Sequence, residues 1–450
     1  MSHLKQLSEL GLFNARVPRY TSYPTAPQFT PEFPQKTFSG WIEKIPPGST
    51  ISLYLHIPFC RRLCWFCACR TQGTSTDAPV LAYVDALHKE LELFRALVPA
   101  GVRLSRLHWG GGTPTMLPPD AMRKLAAHVF DIVPLAEGGE FSVEIDPSEV
   151  DEARLDALRE SGMTRASIGV QDFDPEIQGI IGRDQSFEIT KSTVDALRAR
   201  GIRSLNVDIL YGLPKQTPRR MADSVQKLLS LNPDRIALYG YAHVPWIARR
   251  QQMIPSDTLP RSEKRLDLFE TARRLLMWDG YDEVGIDHFA RPHDGLSIAA
   301  SEGTLRRNFQ GYTDDLSPVL VGLGASSISR FPQGYAQNAP ATATWRKAIE
   351  AGEFATARGH AFTRDDLWRG RAIEALMCDF RLSQAELIGF GADATTLGKL
   401  LSEVLARYGQ FVKLKADTLE ITHEGRPLTR MIAALFDEYA MDKAGHSSAV

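Results

Sequence analysis

Strand-like and helix-like segments alternate between residues 51 and 286, which predicts an α/β fold: a partial (β/α)6 barrel around a parallel sheet. Two further observations agree. Residues of chemical character fall at the C-terminal ends of the predicted strands, where such barrels carry their chemistry. Beyond about residue 290 the alternation stops, and residues 361–450 read as a mostly α-helical, winged-helix-like domain. The expected organisation is an N-terminal arm (1–48), the barrel (49–290), a connector with a substrate-side segment (291–360) and the C-terminal domain (361–450).

The elements follow in order. The first 48 residues are rich in Pro, Ser and Thr, and Val17 to Pro24 reads as an extended arm rather than a packed element, because proline fixes φ and keeps the preceding residue extended. Strands are expected at 51–58, 103–109, 140–146, 165–170, 204–211, 235–242 and 282–286. Helices are expected at 80–98, 119–133, 149–161, 187–200, 218–230 and 262–278. In the first helix Leu87, Leu91 and Phe94 alternate with Asp85, Lys89 and Glu92, an amphipathic pattern. Asn206 to Leu210 reads as a buried strand with a polar residue, Asp208, near its end. Thr363 to Asp366 has a helix-capping pattern. Phe411–Leu414 and Leu419–Thr422 suggest a hairpin before a last helix near 427–440, and the tail from Lys443 reads as disordered. The wing carries no dense basic patch, so it reads as a lid or packing domain rather than a DNA reader.

Composition narrows the class. The chain has 450 residues, 43% hydrophobic, with a net charge of -2. That charge creates no overall field to recruit nucleic acid or membrane. No stretch approaches the ~20 apolar residues of a membrane span. No export leader is evident and the thiols read as reduced, so the expected compartment is the cytoplasm.

Four of the five cysteines lie within ten residues, Cys60, Cys64, Cys67 and Cys69, directly after an apolar run. Crowded thiolates favour a shared Fe–S, Zn or Cu(I) centre. A structural zinc site usually draws its ligands from two separated pairs, which this loop does not provide. The C-x3-C-x2-C spacing leaves one iron of a cubane without a protein ligand. Cys378 lies in an apolar stretch and reads as a small buried hydrophobe.

Other motifs stand at strand ends. Tyr54 and His56 point to one side of the first strand by period-two alternation; a core histidine is the ordinary reading of His56, weighed against its place just before Cys60. Gly110-Gly111-Gly112-Thr113 lets the backbone approach a ligand and exposes N–H groups. Glu144 suits ribose hydroxyls or an ammonium group, or caps the next helix. Gln171, Arg183 and Asp208 are single signals, each more often structural; Arg183 suits bidentate pairing with a ligand carboxylate. Phe59, Trp65 and Phe66 supply apolar cover around the cysteines, Phe66 serving equally well as core.

The cysteine spacing resembles the radical S-adenosylmethionine (SAM) enzymes, and the chain as a whole resembles the oxygen-independent coproporphyrinogen III oxidases (dehydrogenases) of anaerobic haem biosynthesis. The matching text is Pro18–Thr25, Tyr54–Cys60, the C-x3-C-x2-C-x-C loop, Gly110–Thr115, Glu144–Pro147, Tyr241–Pro245, Gly285–Ala290, Arg307–Thr313 and Leu376–Cys378. Trp65 stands where that family often has a smaller or phenolic residue, and Ile286 replaces a frequent Met. The resemblance implies a [4Fe–4S] cluster on Cys60, Cys64 and Cys67, with Cys69 a family cysteine that does not ligate it. It implies two SAM molecules per chain: one at Tyr54, Gly111, Glu144 and Ile328, the other at Phe66, Gly112, Thr113, Gln171, Arg183, Asp208 and Ala242. Tyr54, His56 and Cys69 are the expected catalytic residues. The implied reaction is removal of hydrogen from a propionate by a 5′-deoxyadenosyl radical, loss of CO2 to leave a vinyl group, and one repeat, giving protoporphyrinogen IX. The implied partners are a porphyrinogen substrate and a low-potential electron donor such as a flavodoxin or ferredoxin; the chain is expected to be a monomer with neither nucleic acid nor membrane as partner.

Three readings compete. A haem-binding chaperone related to this family would lack the C-x-C cysteine and the Asn308–Tyr312 segment, both present here. A haem-modifying radical SAM enzyme shares the fold, which alone does not separate the two. A nucleic-acid binder is disfavoured by the near-neutral charge.

Overall fold

Six parallel strands form the heart of the computed structural model, which describes residues 3–31, 33–439 and 448–450. They are β1 (Thr50–Ile57), β2 (Arg103–Gly111), β3 (Leu135–Ile145), β4 (Arg165–Gln171), β5 (Ser204–Tyr211) and β6 (Arg235–Gly240). Each pairs in parallel with the next. The connecting helices are α1 (Ala78–Arg95), α2 (Pro119–Ile132), α3 (Glu152–Glu160), α4 (Phe187–Ala199) and α5 (Pro218–Ser230), with α6 (Ser262–Trp278) after β6. The period-two pattern explains the layering. In β1, Ile51, Leu53, Leu55 and Ile57 are buried under the helices, so Ser52, Tyr54 and His56 face the barrel interior. On α1, Leu87, Leu91 and Phe94 are wholly buried, as its amphipathic stripe predicts. Asp151, Ser186 and Thr217 cap α3, α4 and α5 by accepting backbone N–H bonds.

The sheet extends past the barrel on both sides. After β6 come β7 (Asp282–Val284) and β8 (His288–Ala290), with β8 antiparallel to both β6 and β7. Residues 291–360, expected as a connector, contribute four strands to this sheet: β9 (Leu320–Leu323), β10 (Ile328–Phe331), β11 (Gly334–Asn338) and β12 (Thr356–Ala361). β9 lies parallel to β1 on its free edge, and β10 to β12 follow antiparallel, giving the order β12-β11-β10-β9-β1-β2-β3-β4-β5-β6-β8-β7. The exposed edge of β1 would otherwise leave backbone donors and acceptors unpaired. These strands carry little βα periodicity, which is why the alternation rule passes over them.

The N-terminal segment also differs from expectation. Val17 to Pro24 has no helix or strand, yet the segment is packed, not a free arm. Leu7, Leu12, Phe13, Val17, Tyr20 and Tyr23 are buried in one core with Trp368, Leu376, Leu428 and Phe436 of the C-terminal domain. The extended backbone is satisfied from outside: Arg430 Nε donates to the Pro18 carbonyl at 3.0 Å, and Ala449 N–H to the Ala15 carbonyl at 2.9 Å. A second part, with helix Gln35–Glu43, buries Phe38, Trp41 and Ile42 in the main core.

The C-terminal domain contains α7 (Arg364–Asp379) and α8 (Ala394–Tyr408), with a three-stranded sheet of Arg381–Ser383, Val412–Lys415 and Thr418–Ile421. Thr363 and Asp366 form the expected capping box on α7. Part of the tail read as disordered, residues 443–447, lies outside the described residues; Ala449 and Val450 are buried against the N-terminal segment, where apolar surface is available. Cys378 is buried.

Candidate active site

The cysteine loop springs from the C-terminal end of β1 and is pinned there by backbone. Gly112 N–H donates to the Ile57 carbonyl (2.8 Å) and Thr113 N–H to the Phe59 carbonyl (2.7 Å). Phe59–Cys60 pairs with Gln72–Gly73, closing the loop at its base. On the far side Trp65 N–H donates to Ile181 at the end of a short helix, Pro175–Ile181, which the sequence reading did not include. The Trp65 ring lies over Gly182. Gln251, wholly buried, donates to the Phe66 and Ala242 carbonyls (2.7 and 3.1 Å), and Arg250 donates to Thr71 Oγ1 at 2.9 Å.

The donor set fits an iron–sulfur cluster. Cys60, Cys64 and Cys67 are free thiols, each half-buried. Burial pushes Cys60 up to about 11 and raises Cys64, while the thiol of Cys69 and its N–H, at 3.4 Å from Cys67 Sγ, pull Cys67 down. Arg183 Nη1 lies 3.6 Å from Cys64 Sγ. Such N–H donors to sulfur are the means by which a protein tunes a cluster. Among the described residues no three His, Cys, Asp or Glu groups converge on a single ion. Cys69 is exposed as a residue, and its thiol is raised chiefly by donating to Cys67.

One group of expected site residues meets beside β1. Tyr54 OH and His56 Nδ1 are 2.9 Å apart, and His56 Nε2 lies 3.2 Å from the Arg70 carbonyl. Burial lowers the His56 pKa, which favours the neutral ring. Glu144 accepts from Gly111 N–H at 3.0 Å and lies 3.4 Å from His108 Nε2. Burial would raise Glu144, but His108 and the Gly111 N–H outweigh it and hold the carboxyl below its usual range. His108 stacks on Tyr54 at 5.7 Å between centroids. Sequence reasoning missed His108, although it stands two residues before Gly110 and so shares its face of β2. Ile328 lies on β10, its carbonyl close against Gly322, the residue paired with Tyr54. That loop is tied down by buried Glu90, which accepts from Gly324 N–H at 2.6 Å and Asn338 at 2.7 Å.

A second group gathers at Gly169. The Gln171 amide and Arg183 guanidinium both lie against this glycine, and Asp208 is its partner on β5. Gln171 follows a β-bulge and has φ 71°, a left-handed conformation that a non-glycine residue holds only when its surroundings enforce it. Arg183 is more committed than its sequence position suggests: it donates to the Gly169 carbonyl (2.7 Å) and Gln185 (3.1 Å) and faces Asp146 at 3.6 Å. A ligand carboxylate would share those donors. Asp208 accepts from Asn206 at 2.8 Å, and burial pushes its carboxyl up to about 6. Ala242 lies two residues beyond β6, not at the strand end expected. Phe66 packs beside Trp65 on the small core of Ile177, Ile181 and Leu210. No sequence signal marks Gln251.

Two cavities adjoin this region. One, of about 140 Å³, lies within the barrel among His108, Glu144, Asn206, Asp208 and Tyr239. The larger, about 790 Å³, sits beyond the ends of β5 and β6, against α6 and the C-terminal domain.

Three thiols at the mouth of a parallel barrel, beside a glycine turn, define a radical SAM enzyme, and the Radical SAM superfamily profile matches residues 54–228. The chain carries the [4Fe–4S] and SAM chemistry of that class. It is 65% identical over its whole length to the whole of the oxygen-independent coproporphyrinogen III oxidase of Paracoccus denitrificans. It is 39% identical to the Escherichia coli enzyme, over 97% of this chain and 96% of the relative. The solved structure of E. coli coproporphyrinogen III oxidase, a radical SAM enzyme, superposes with a TM-score of 0.89 over 95% of this chain and all of that one, at 36% identity. The chain therefore belongs to the oxygen-independent coproporphyrinogen III oxidase family. No helix among the described residues is long and apolar enough to cross a membrane.

Proposed function

We propose that this chain converts two propionate side chains of coproporphyrinogen III to vinyl groups by oxidative decarboxylation, in anaerobic haem biosynthesis. The observation that carries the reading is the cysteine loop, held by backbone against the Gly110–Thr113 turn at the β1 and β2 ends, in a chain 65% identical throughout to a relative of that name. Cys60, Cys64 and Cys67 hold the cluster. When bound, the cluster and SAM supply a 5′-deoxyadenosyl radical that takes hydrogen from the propionate. The chain's own residues position and shield. Gly111 and Glu144 bind the polar ends of the first SAM, with Tyr54 and Ile328 as its walls. Gly112, Thr113, Gln171, Arg183 and Asp208 bind a second SAM, with Phe66 and Ala242 against it. His56, neutral and bonded to Tyr54, fixes the tyrosine's orientation. Cys69 faces the same space as Glu144 and Tyr54, where it meets substrate rather than iron.

Electrons come from a low-potential carrier such as a flavodoxin or ferredoxin, and the chain acts as a cytoplasmic monomer. Residues 49–290, with the strands of 291–360 added to the sheet, bind the cofactors; residues 1–48 and 361–450 close the substrate side. The test is anaerobic turnover of coproporphyrinogen III with SAM and reductant. Protoporphyrinogen IX formation with CO2 release is the expected result. SAM cleavage without porphyrin product would refute the substrate assignment.

A further inference from the structure

The larger cavity is lined by many charged side chains of both signs. Arg19, Arg265, Arg307 and Arg430 all line it, and Asp287 is the side-chain carboxylate paired with Arg307. Their donors are spent mostly on backbone carbonyls. Arg19 donates to Gly240; Arg430 donates to Pro18 (3.0 Å), Ser448 (3.0 Å) and Val17; Arg265 donates to Tyr241 (2.9 Å) and the Val450 oxygen (2.9 Å). Arg307 is the extreme case. Its side chain is only 4% exposed, it lies over the Tyr312 ring at 4.4 Å, and its Nη1 approaches Asp287 no closer than 3.7 Å. Its Nε and Nη1 are buried and make no hydrogen bond. Asp287 is itself shared with His288 at 2.7 Å. Two other acids of the cavity are paired elsewhere: Glu283 with Arg273 and Arg426, and Glu270 with Arg273. Like charges crowd one another here, and burial together with Arg19 pulls the Arg430 guanidinium down. Buried cations need partners, and a guanidinium with an open fork is matched by a carboxylate.

We propose that Arg19, Arg307 and Arg430, with Arg265 beside them, form a subsite for carboxylate groups that receives propionates of the porphyrinogen not undergoing reaction. The proposal rests on the function given above. Position supports it: Tyr211 and Gly240, at the ends of β5 and β6, line this cavity, and those ends lead to Asp208 and Ala242. Asp287 and His288 are chain neighbours that line the larger and the smaller cavity respectively, so the two spaces share a wall. A tetracarboxylate held by its far propionates would present a near one to the barrel interior.

The test uses anaerobically reconstituted holoenzyme and the oxidised tetra-acid, coproporphyrin III, as the binding probe, followed by quenching of protein fluorescence. Arg19→Gln and Arg307→Gln should each weaken tetra-acid binding by about tenfold or more, the loss of one charge-assisted pair. Arg307→Lys should recover part of the loss, since it keeps the charge but not the fork. The tetramethyl ester should bind wild type weakly and be insensitive to these changes. Arg19→Gln is the safeguard should Arg307→Gln fail to fold, because among the described residues the hydrogen bond of Arg19 is to the Gly240 carbonyl alone. Tetra-acid affinity unchanged in folded, iron-loaded variants would overturn the subsite, as would an ester bound by wild type as tightly as the acid. Succinate should compete with the porphyrin better than inorganic phosphate; equal competition would mark a general anion site and overturn the propionate assignment. Loss of porphyrin turnover in wild type itself would refute the function and not the anion site, which the succinate arm reads independently.

Discussion

Replacing Gly112 by alanine should detach the cysteine loop from the barrel. A Cβ at this position would lie 2.4 Å from the Phe59 carbonyl oxygen, 2.8 Å from Phe59 N and 2.9 Å from the Ile57 carbonyl oxygen. All three are backbone atoms, so no side-chain rotation relieves the overlap. The methyl must push β2 and the loop apart, and the two hydrogen bonds that join them, Gly112 N–H to Ile57 and Thr113 N–H to Phe59, stretch with it. Overpacking costs about 1–3 kcal/mol and each weakened hydrogen bond about 0.5–1.5 kcal/mol, so the total is roughly 2–6 kcal/mol. That energy acts one residue before Cys60, where it displaces a ligand. The assay is iron content after anaerobic reconstitution, beside a thermal melt. Wild type should hold about four irons per chain; Gly112→Ala should hold far fewer. Gly179→Ala is the control, because nothing lies within 4 Å of its Cβ position and it is helical; it should be neutral or slightly stabilising. Full iron loading and an unchanged melt in Gly112→Ala would refute the backbone-cradle argument.

Three more outcomes are expected. Cys69→Ala should keep the cluster but lose turnover, as one intervening residue makes it hard for Cys67 and Cys69 to ligate separate irons; iron loss in this variant would reassign the ligands. Asp208 is pushed up to about 6, above its unfolded value, so the folded state holds its proton more tightly. The sign follows: between about pH 4 and pH 6 rising pH removes stability, and the ionised carboxylate is the form that meets a SAM ammonium or hydroxyl. Equilibrium dialysis should give two SAM per wild-type chain at pH 7.5 and weaker second-site binding below pH 6. Asp208→Asn should weaken that site about tenfold and abolish its pH dependence, and one SAM in both proteins at every pH would rule the second site out. Deleting residues 1–29 should lower the melting temperature and turnover together while iron loading survives, because Leu7, Leu12, Phe13, Val17, Tyr20 and Tyr23 leave the C-terminal core. Each buried apolar side chain contributes up to about 1.5–3 kcal/mol; an unchanged melt would show that the segment is not part of that core.

Much of this protein was legible in its sequence, for local reasons. Most strand and helix positions from residue 50 to 278 follow from hydrophobic periodicity, which the chain itself enforces; the short helix Pro175–Ile181 does not. The cysteine loop and the glycine turn are contiguous text, and their chemistry follows from residue type and spacing. The meeting of Tyr54 with His56 follows from a period of two. Contacts between distant segments were not legible. Nothing near residue 320 says that β9 will pair with β1, since that pairing is decided by which sheet edge lacks a partner. The Pro-rich segment at 17–24 looked free because its backbone forms no helix or strand; Arg430, some 410 residues away, supplies the donors that let it pack. Gln251 carried no signal, for its role is to bridge two carbonyls that only the fold brings together. The arginine cluster draws on positions 19, 265, 307 and 430, and charge spread so widely along a chain has no local pattern. Sequence determined the chemistry, because reactive side chains and their spacing are written locally; tertiary structure alone decided the balance of charge around them, because that depends on which distant groups share a cavity.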